Sequence, residues 1–281
     1  MTFKHQIVML CLLLAGSQMH AQSCCAKPIA GTDMAAFLAD ASFVSAHIEP
    51  LPYTHTSMAG GEMITFATSD GKTASAYLIK SAKKSKKWLF VYQEWWGLND
   101  HIKKQAEIFY NDLGDVNVLA IDLYDGKVAT TREDASKYMG ESKVERTDVI
   151  IKGAVSYVGK KAKIASVGWC FGGGQSLRSG IIAGKKAVGC IMYYGMPVKE
   201  IDMLKTLHCD VLGLFAAREK WISPEVVKEF EANMKTAGKK VTIKNFDAEH
   251  AFANPSNPNF DKKASEEAYG LSLEYLKKRF K

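Results

Sequence analysis

A chain of 281 residues, 47% hydrophobic and 24% charged, is long enough to bury a large core and too apolar for a disordered protein. Its formal charge of +7 is carried mostly by lysine, with much of it in the run Lys80-Ser-Ala-Lys-Lys-Ser-Lys-Lys87. No stacking aromatics interleave with that run, so it reads as a solvated loop, and nucleic acid is not expected as a partner.

The N-terminus reads as a signal peptide over residues 1–21. Lys4 and His5 precede the apolar stretch IVMLCLLLAG, and Ala21-Gln22 supplies a small residue at a cleavage point. The apolar run is too short for a stable membrane span, so an exported protein is expected, periplasmic or secreted. Acylation of Cys24 or Cys25 is less favoured, because AQSC lacks the usual preceding leucine. Residues 22–58 form an N-terminal extension with a short amphipathic stretch around Met34–Phe43. The remaining residues, 59–281, form one domain, and a monomer is expected.

Within that domain ITFAT and ASAYLIK alternate on either side of Ser69-Asp70-Gly71-Lys72, the pattern of an opening β-hairpin. Six further apolar runs read as buried strands: WLFVY, VNVLAID, KIASVGW, AVGCIMYY, DVLGLFA and KVTIKNF. Between them Ile102, Ala106, Phe109 and Leu113 follow a helical period, as do Ile151, Ala154, Val155 and Val158. Ser223-Pro224-Glu225 opens another helix, and a last one begins near Lys263. Strands alternating with helices predict an α/β fold, a mostly parallel sheet with helices on both faces.

Five cysteines remain after cleavage. Cys24 and Cys25 are adjacent and would bridge only with strain, while Cys190 and Cys209 read as small buried hydrophobes. Cys170 has a different setting. Gly168-Trp169-Cys170-Phe171-Gly172 fits G-x-nucleophile-x-G between a strand and a helix, and the helix start favours a thiolate. A phosphate-binding loop would place a lysine and a Ser/Thr at fixed spacing, where this chain has Gln175-Ser176. A nucleophile needs a base and the base needs an orienting acid. Glu219 follows DVLGLFA and His250 follows KVTIKNF, so Cys170, Glu219 and His250 stand in the required order. Asp247 and Glu249 are rival partners for His250, and Glu219 read alone is a surface carboxylate. His47, His55, His101 and His208 have no comparable setting and read as structural or exposed.

Gln93-Glu94-Trp95-Trp96-Gly97 follows WLFVY, from which a second oxyanion-binding N–H is expected. The N–H groups of Phe171 and Trp95 are the candidates. Glu94 is costly to bury unpaired and reads as either a structural ion pair or an acceptor for the thiol proton. Trp95, Trp96 and Trp221 read equally as pocket walls or as core.

From about Glu62 to Phe280 the chain resembles the dienelactone hydrolase (carboxymethylenebutenolidase) family of the α/β-hydrolase fold. QEWWGLN, DLYDG, GWCFGGG, AREKWISPE and DAEHAFANP carry the resemblance. It implies a Cys170–His250–acid triad, with Glu94 contacting the resting thiol. The acid position, usually Asp, is Glu219 here. Two arginines that hold the substrate carboxylate in the family are replaced: the segment after DLY is Asp125-Gly126-Lys127, and the histidine segment ends at Asn254. Lys127 and Asn254 are therefore the tentative substrate-binding residues, with Trp96 and Trp221. The expectation is a hydrolase of a small ester or lactone acting through a thioester, with no metal or organic cofactor. A ligand-binding protein without turnover is the alternative; a thiol redox protein is disfavoured by the lack of C-x-x-C.

Overall fold

The structure, a computed structural model, describes residues 34–281. The segment 1–21, its cleavage point, and Cys24 and Cys25 lie outside the described residues. Each apolar run becomes a strand: β1 (Glu62–Ala67), β2 (Thr73–Ile79), β3 (Lys87–Tyr92), β4 (Asn117–Ile121), β5 (Lys163–Trp169), β6 (Ala187–Tyr193), β7 (Val211–Ala216) and β8 (Val241–Phe246). They form one sheet in the order β1-β2-β4-β3-β5-β6-β7-β8. The β1–β2 hairpin and the β2–β4 pair are antiparallel, and every other pairing is parallel. Thr68 and Lys72 close the hairpin turn, with the Thr68 N–H donating to the Lys72 carbonyl at 2.9 Å.

Ahead of the sheet lie a 3-10 turn (Met34–Ala39) and the short helix α1 (Ala41–Ala46). The longer helices are α2 (Asp100–Leu113), α3 (Arg132–Glu141), α4 (Val144–Tyr157) and α5 (Phe171–Ala183). After the one-turn α6 (Ile201–Leu204) come α7 (Pro224–Thr236) and α8 (Lys262–Arg279). Strand β6 shows why its run is apolar throughout. Cys190 faces α5, its Sγ 3.4 Å from Ser176 Oγ, while a Cβ on neighbouring Gly189 would meet Tyr275 of α8. Both faces of the strand are thus covered, and alternation along it gives way to continuous hydrophobicity. A buried Arg178–Asp148 ion pair ties α5 to α4. No helix among the described residues is long and apolar enough to cross a membrane.

Residues 34–59 lie against this frame. The Asp40 side chain caps α1, accepting from the Ser42 N–H at 2.8 Å, and its other oxygen accepts from the Trp221 indole N–H at 3.1 Å. Met34 and Phe43 are fully buried. The Phe43 ring meets Trp221 edge-on at 5.2 Å and Trp95 at 6.0 Å. Further along, Glu107 of α2 accepts from Ser57 Oγ and the Met58 N–H, both at 2.8 Å. Trp95 follows β3 and Trp221 follows β7, so the segment crosses the carboxyl edge of the sheet, where open α/β folds place their ligands.

Candidate active site

Cys170 sits between β5 and α5 with φ 54° and ψ −120°, a conformation that a non-glycine residue adopts only when its surroundings impose it. The Cys170 N–H donates to the Tyr193 carbonyl at 3.0 Å, and the Gly173 N–H donates to the Cys170 carbonyl at 2.9 Å. The flanking glycines make room for the turn. A Cβ on Gly168 would collide with the Gly172 carbonyl, and one on Gly172 would collide with the carbonyls of Tyr92 and Gln93. The side chain therefore stands at the N-terminus of α5. The helix dipole does not decide its ionisation, however. The residue is 1% exposed, and burial pushes the thiol pKa up against the pull of His250, so the resting group is a thiol.

His250, in the loop after β8, shares a 2.7 Å hydrogen bond between Nδ1 and Glu219 Oε1. The Glu219 side chain is fully buried, and the same oxygen accepts from the Ile222 N–H at 3.3 Å. Burial alone would lower the His250 pKa, but Glu219, and Cys170 once it is a thiolate, outweigh it and raise the affinity of the ring for the thiol's proton. The rivals are accounted for: Asp247 and Glu249 are exposed and pair with Arg218 at 3.3 and 3.2 Å. Cys170 Sγ and His250 Nε2 lie within 4.8 Å of each other. Cys170, Glu219 and His250 thus meet at one place.

Glu94 lies two residues beyond the end of β3 and is buried. Its Oε2 accepts from Asn254 Nδ2 at 2.6 Å, and Asn254 Oδ1 accepts from the N–H and hydroxyl of Ser256 at 2.9 and 2.8 Å. Burial raises the carboxyl pKa to about 7, against the pull of His250 and Asn254. The resemblance implied that Glu94 meets the thiol. Its hydrogen bond goes instead to Asn254, and its influence on Cys170 is electrostatic, a carboxylate charge that raises the thiol pKa. Beside this pair opens a cavity of about 150 Å³, walled by Glu94, Asn254, Trp169, Tyr194, Ile102 and Leu51 among others. Asn254 therefore faces the cavity, as a tentative substrate-binding residue should.

Three expected lining residues do not. Lys127 turns to the surface, where its ammonium pairs with Glu141 at 2.8 Å over the Tyr138 ring. Trp96 is buried against Trp95, ring centroids 5.0 Å apart, and Trp221 is held by Asp40 and Phe43. Each has a better partner than the cavity, in an ion pair or an aromatic contact. Trp95 is wholly buried. Its amide and that of Phe171 take no part in the backbone hydrogen bonds closing the surrounding turns.

Sequence reasoning passed over Trp169, Tyr194 and His47. Tyr194 has φ 34°, meets the His250 ring edge-on at 5.0 Å, and buries a hydroxyl with no partner among the described residues. Its place directly after β6, on the carboxyl edge of the sheet, was the available signal. His47 ends α1 and is 4% exposed, with Nε2 3.8 Å from Cys170 Sγ. It is neither exposed nor remote, and nothing local in its sequence announced this.

A mostly parallel sheet that delivers a strained residue from a central strand into a helix, with a paired histidine and acid after its last two strands, defines an α/β hydrolase. Residues 74–280 match the dienelactone hydrolase family, and the chain belongs to that family. It is 25% identical over 233 residues to Protein usf of Aquifex pyrophilus, covering 77% of this chain and 98% of the relative. To carboxymethylenebutenolidase 1 of Cupriavidus pinatubonensis it is 22% identical over 228 residues, covering 76% and 95%. Among solved structures it is similar in fold to a dienelactone hydrolase-like promiscuous phosphotriesterase from metagenomic libraries. That likeness has a TM-score of 0.68 at 19% identity, over 79% of this chain and 99% of the other.

Proposed function

We propose that the protein hydrolyses a small carboxylic ester or lactone through a thioester on Cys170. The carrying observation is the buried Glu219–His250 hydrogen bond of 2.7 Å beside the strained Cys170. In the reaction His250 Nε2 takes the thiol proton as Sγ attacks the carbonyl carbon. The oxyanion that forms is held by the amides of Phe171 and Trp95. Collapse of the tetrahedral intermediate breaks the ester C–O bond, and His250 returns the proton to the departing alkoxide. Water, deprotonated by His250, then attacks the thioester and releases the acid and the free thiol. Glu219 holds Nδ1–H and stabilises the imidazolium at both stages. Glu94 keeps a carboxyl beside the cavity that changes charge near neutrality.

The family's two carboxylate-holding arginines are missing, and Lys127 is turned away, so the substrate is read as small and uncharged at that end. Turnover of p-nitrophenyl acetate by the mature protein tests this. Activity that disappears in a folded Cys170→Ala variant supports the reading, and activity that persists contradicts it. The nearly complete burial of Cys170 favours one other reading, a ligand-binding protein without turnover. Thermal stabilisation by esters with no acyl-enzyme would identify it.

Export to the periplasm or medium is part of the proposal and rests on residues 1–21. A mature chain beginning at Gln22 supports it. A chain recovered with residues 1–21 attached contradicts it.

A further inference from the structure

His47 has no role in that chemistry, yet its Nε2 lies 3.8 Å from Cys170 Sγ. It comes from a segment 123 residues away from Cys170 in sequence. Its Nδ1 lies 2.7 Å from the Phe43 carbonyl, a group that only accepts, so the ring proton is on Nδ1 and Nε2 carries a lone pair. Burial and the charge of His250 push its pKa down to about 3, so the ring cannot answer by becoming charged. His250 has the same arrangement, with Nδ1 bonded to Glu219 and Nε2 turned inward.

Cys170 Sγ, His47 Nε2 and His250 Nε2 therefore converge, all three within 4.8 Å of one another and all three residues more than nine-tenths buried. The thiol has one proton to donate and faces two imidazole nitrogens. Apart from that shared thiol, His250 Nε2 has no hydrogen-bond partner among the described residues. An unpaired buried nitrogen of this kind is unfavourable.

We propose that His47, Cys170 and His250 form a three-ligand site for a thiophilic late-transition ion of the zinc(II) class. Two imidazoles and a thiolate suit such an ion and are poor ligands for magnesium or calcium. Each imidazole already has its far nitrogen fixed by an oxygen acceptor, the arrangement that orients metal-bound histidines. Bonds of roughly 2.0–2.3 Å put neighbouring donors about 3.3–3.8 Å apart. The Sγ to His47 Nε2 separation is 3.8 Å, so that pair is already in place. The remaining separations, at most 4.8 Å, close with shifts of roughly an ångström.

Coordination forms three dative bonds. The Cys170 S–H bond breaks and its proton, with any proton on His250 Nε2, leaves to the solvent, so affinity rises with pH. No electron is transferred. The bound ion would occupy nucleophile and base together and would pin residue 47 to the catalytic edge. A loaded protein therefore does not hydrolyse esters. The site stands on geometry alone and does not depend on the hydrolytic proposal.

The test uses tag-free, reduced, metal-stripped mature protein and cobalt(II) as a spectroscopic probe, followed by zinc(II). The expected result is a sulfur-to-cobalt charge-transfer band that zinc bleaches, and one zinc retained per chain after gel filtration. Cys170→Ser should abolish the band. His47→Ala should weaken binding by roughly tenfold or more. His47→Gln, which can still donate to the Phe43 carbonyl and keep the segment docked, should weaken it similarly. Absence of the band, zinc retained without sulfur ligation, or unchanged affinity in both His47 variants would overturn the proposal.

Discussion

Replacing Glu94 with Gln isolates the energetic consequence of a buried carboxyl. Gln keeps the shape and keeps an oxygen to accept from Asn254 Nδ2, but it cannot ionise. The Glu94 pKa rises from 4.5 to about 7 on folding, chiefly through burial. Between those two values the folded protein holds a proton that the unfolded chain has lost, so stability falls as pH rises through the interval. At roughly 1.4 kcal/mol for each pH unit, ionising this group in place forfeits about 3 kcal/mol by pH 9. The substitution should therefore be near neutral at pH 5 and stabilising by about 3 kcal/mol at pH 9, or roughly 6–12 °C in melting temperature for a chain of this size. Urea unfolding of both proteins at pH 5, 7 and 9 measures the difference directly, and contributions common to both cancel. Parallel stability profiles across that range would refute the reasoning, because they would mean that Glu94 ionises as easily inside as outside.

Glu219→Gln should leave the fold intact and reduce turnover by roughly 10³-fold or more, since His250 loses the charge that holds Nδ1–H; a loss under tenfold in steady-state kinetics would contradict the role. Gly168→Ala should destabilise by about 3 kcal/mol or more, because its Cβ collides with the Gly172 carbonyl and lies 2.9 Å from Tyr92 Cβ. Gly270→Ala in α8, with nothing within 4 Å, should instead stabilise by about 0.5–1 kcal/mol, and equal effects in denaturation would undo the steric account. His47 is neutral when docked, with a pKa of about 3 against an ordinary 6.5. The docking of its segment should therefore be fully stable above pH 6.5 and weaken as pH falls toward 3. Hydrogen exchange of residues 34–47 should rise steeply between pH 7 and pH 4 after correction for intrinsic rates, and His47→Phe should remove that dependence. Unchanged protection would contradict it.

The strands and the nucleophile turn were legible because their signals are local. Runs such as KIASVGW declare burial on both faces, and Gly168 and Gly172 mark a turn that no side chain tolerates. Chain order then narrowed the triad, but only the structure separates Glu219 from Asp247 and Glu249, since all three are carboxylates near strand ends. Helix α3 was missed because only Ala135 and Met139 of its ten residues are buried, too little for a period to show. The cavity wall was misread for a different reason. Trp96, Trp221 and Lys127 have the residue types of a lining, and their directions are set by Trp95, Asp40 and Glu141, partners that sequence spacing does not reveal. His47 lay beyond reach altogether, because α1 has six residues and the contact with Cys170 is made purely through tertiary docking.

The proposed reaction stands or falls on covalent catalysis by Cys170. Intact mass of the mature protein, recorded within seconds of mixing with p-nitrophenyl acetate and again after turnover ends, tests it most directly. A transient gain of one acetyl group is expected on the wild type, located at Cys170 by peptide mapping and absent in Cys170→Ala. Product release with no adduct at any time, or an adduct that forms equally in Cys170→Ala, would contradict it.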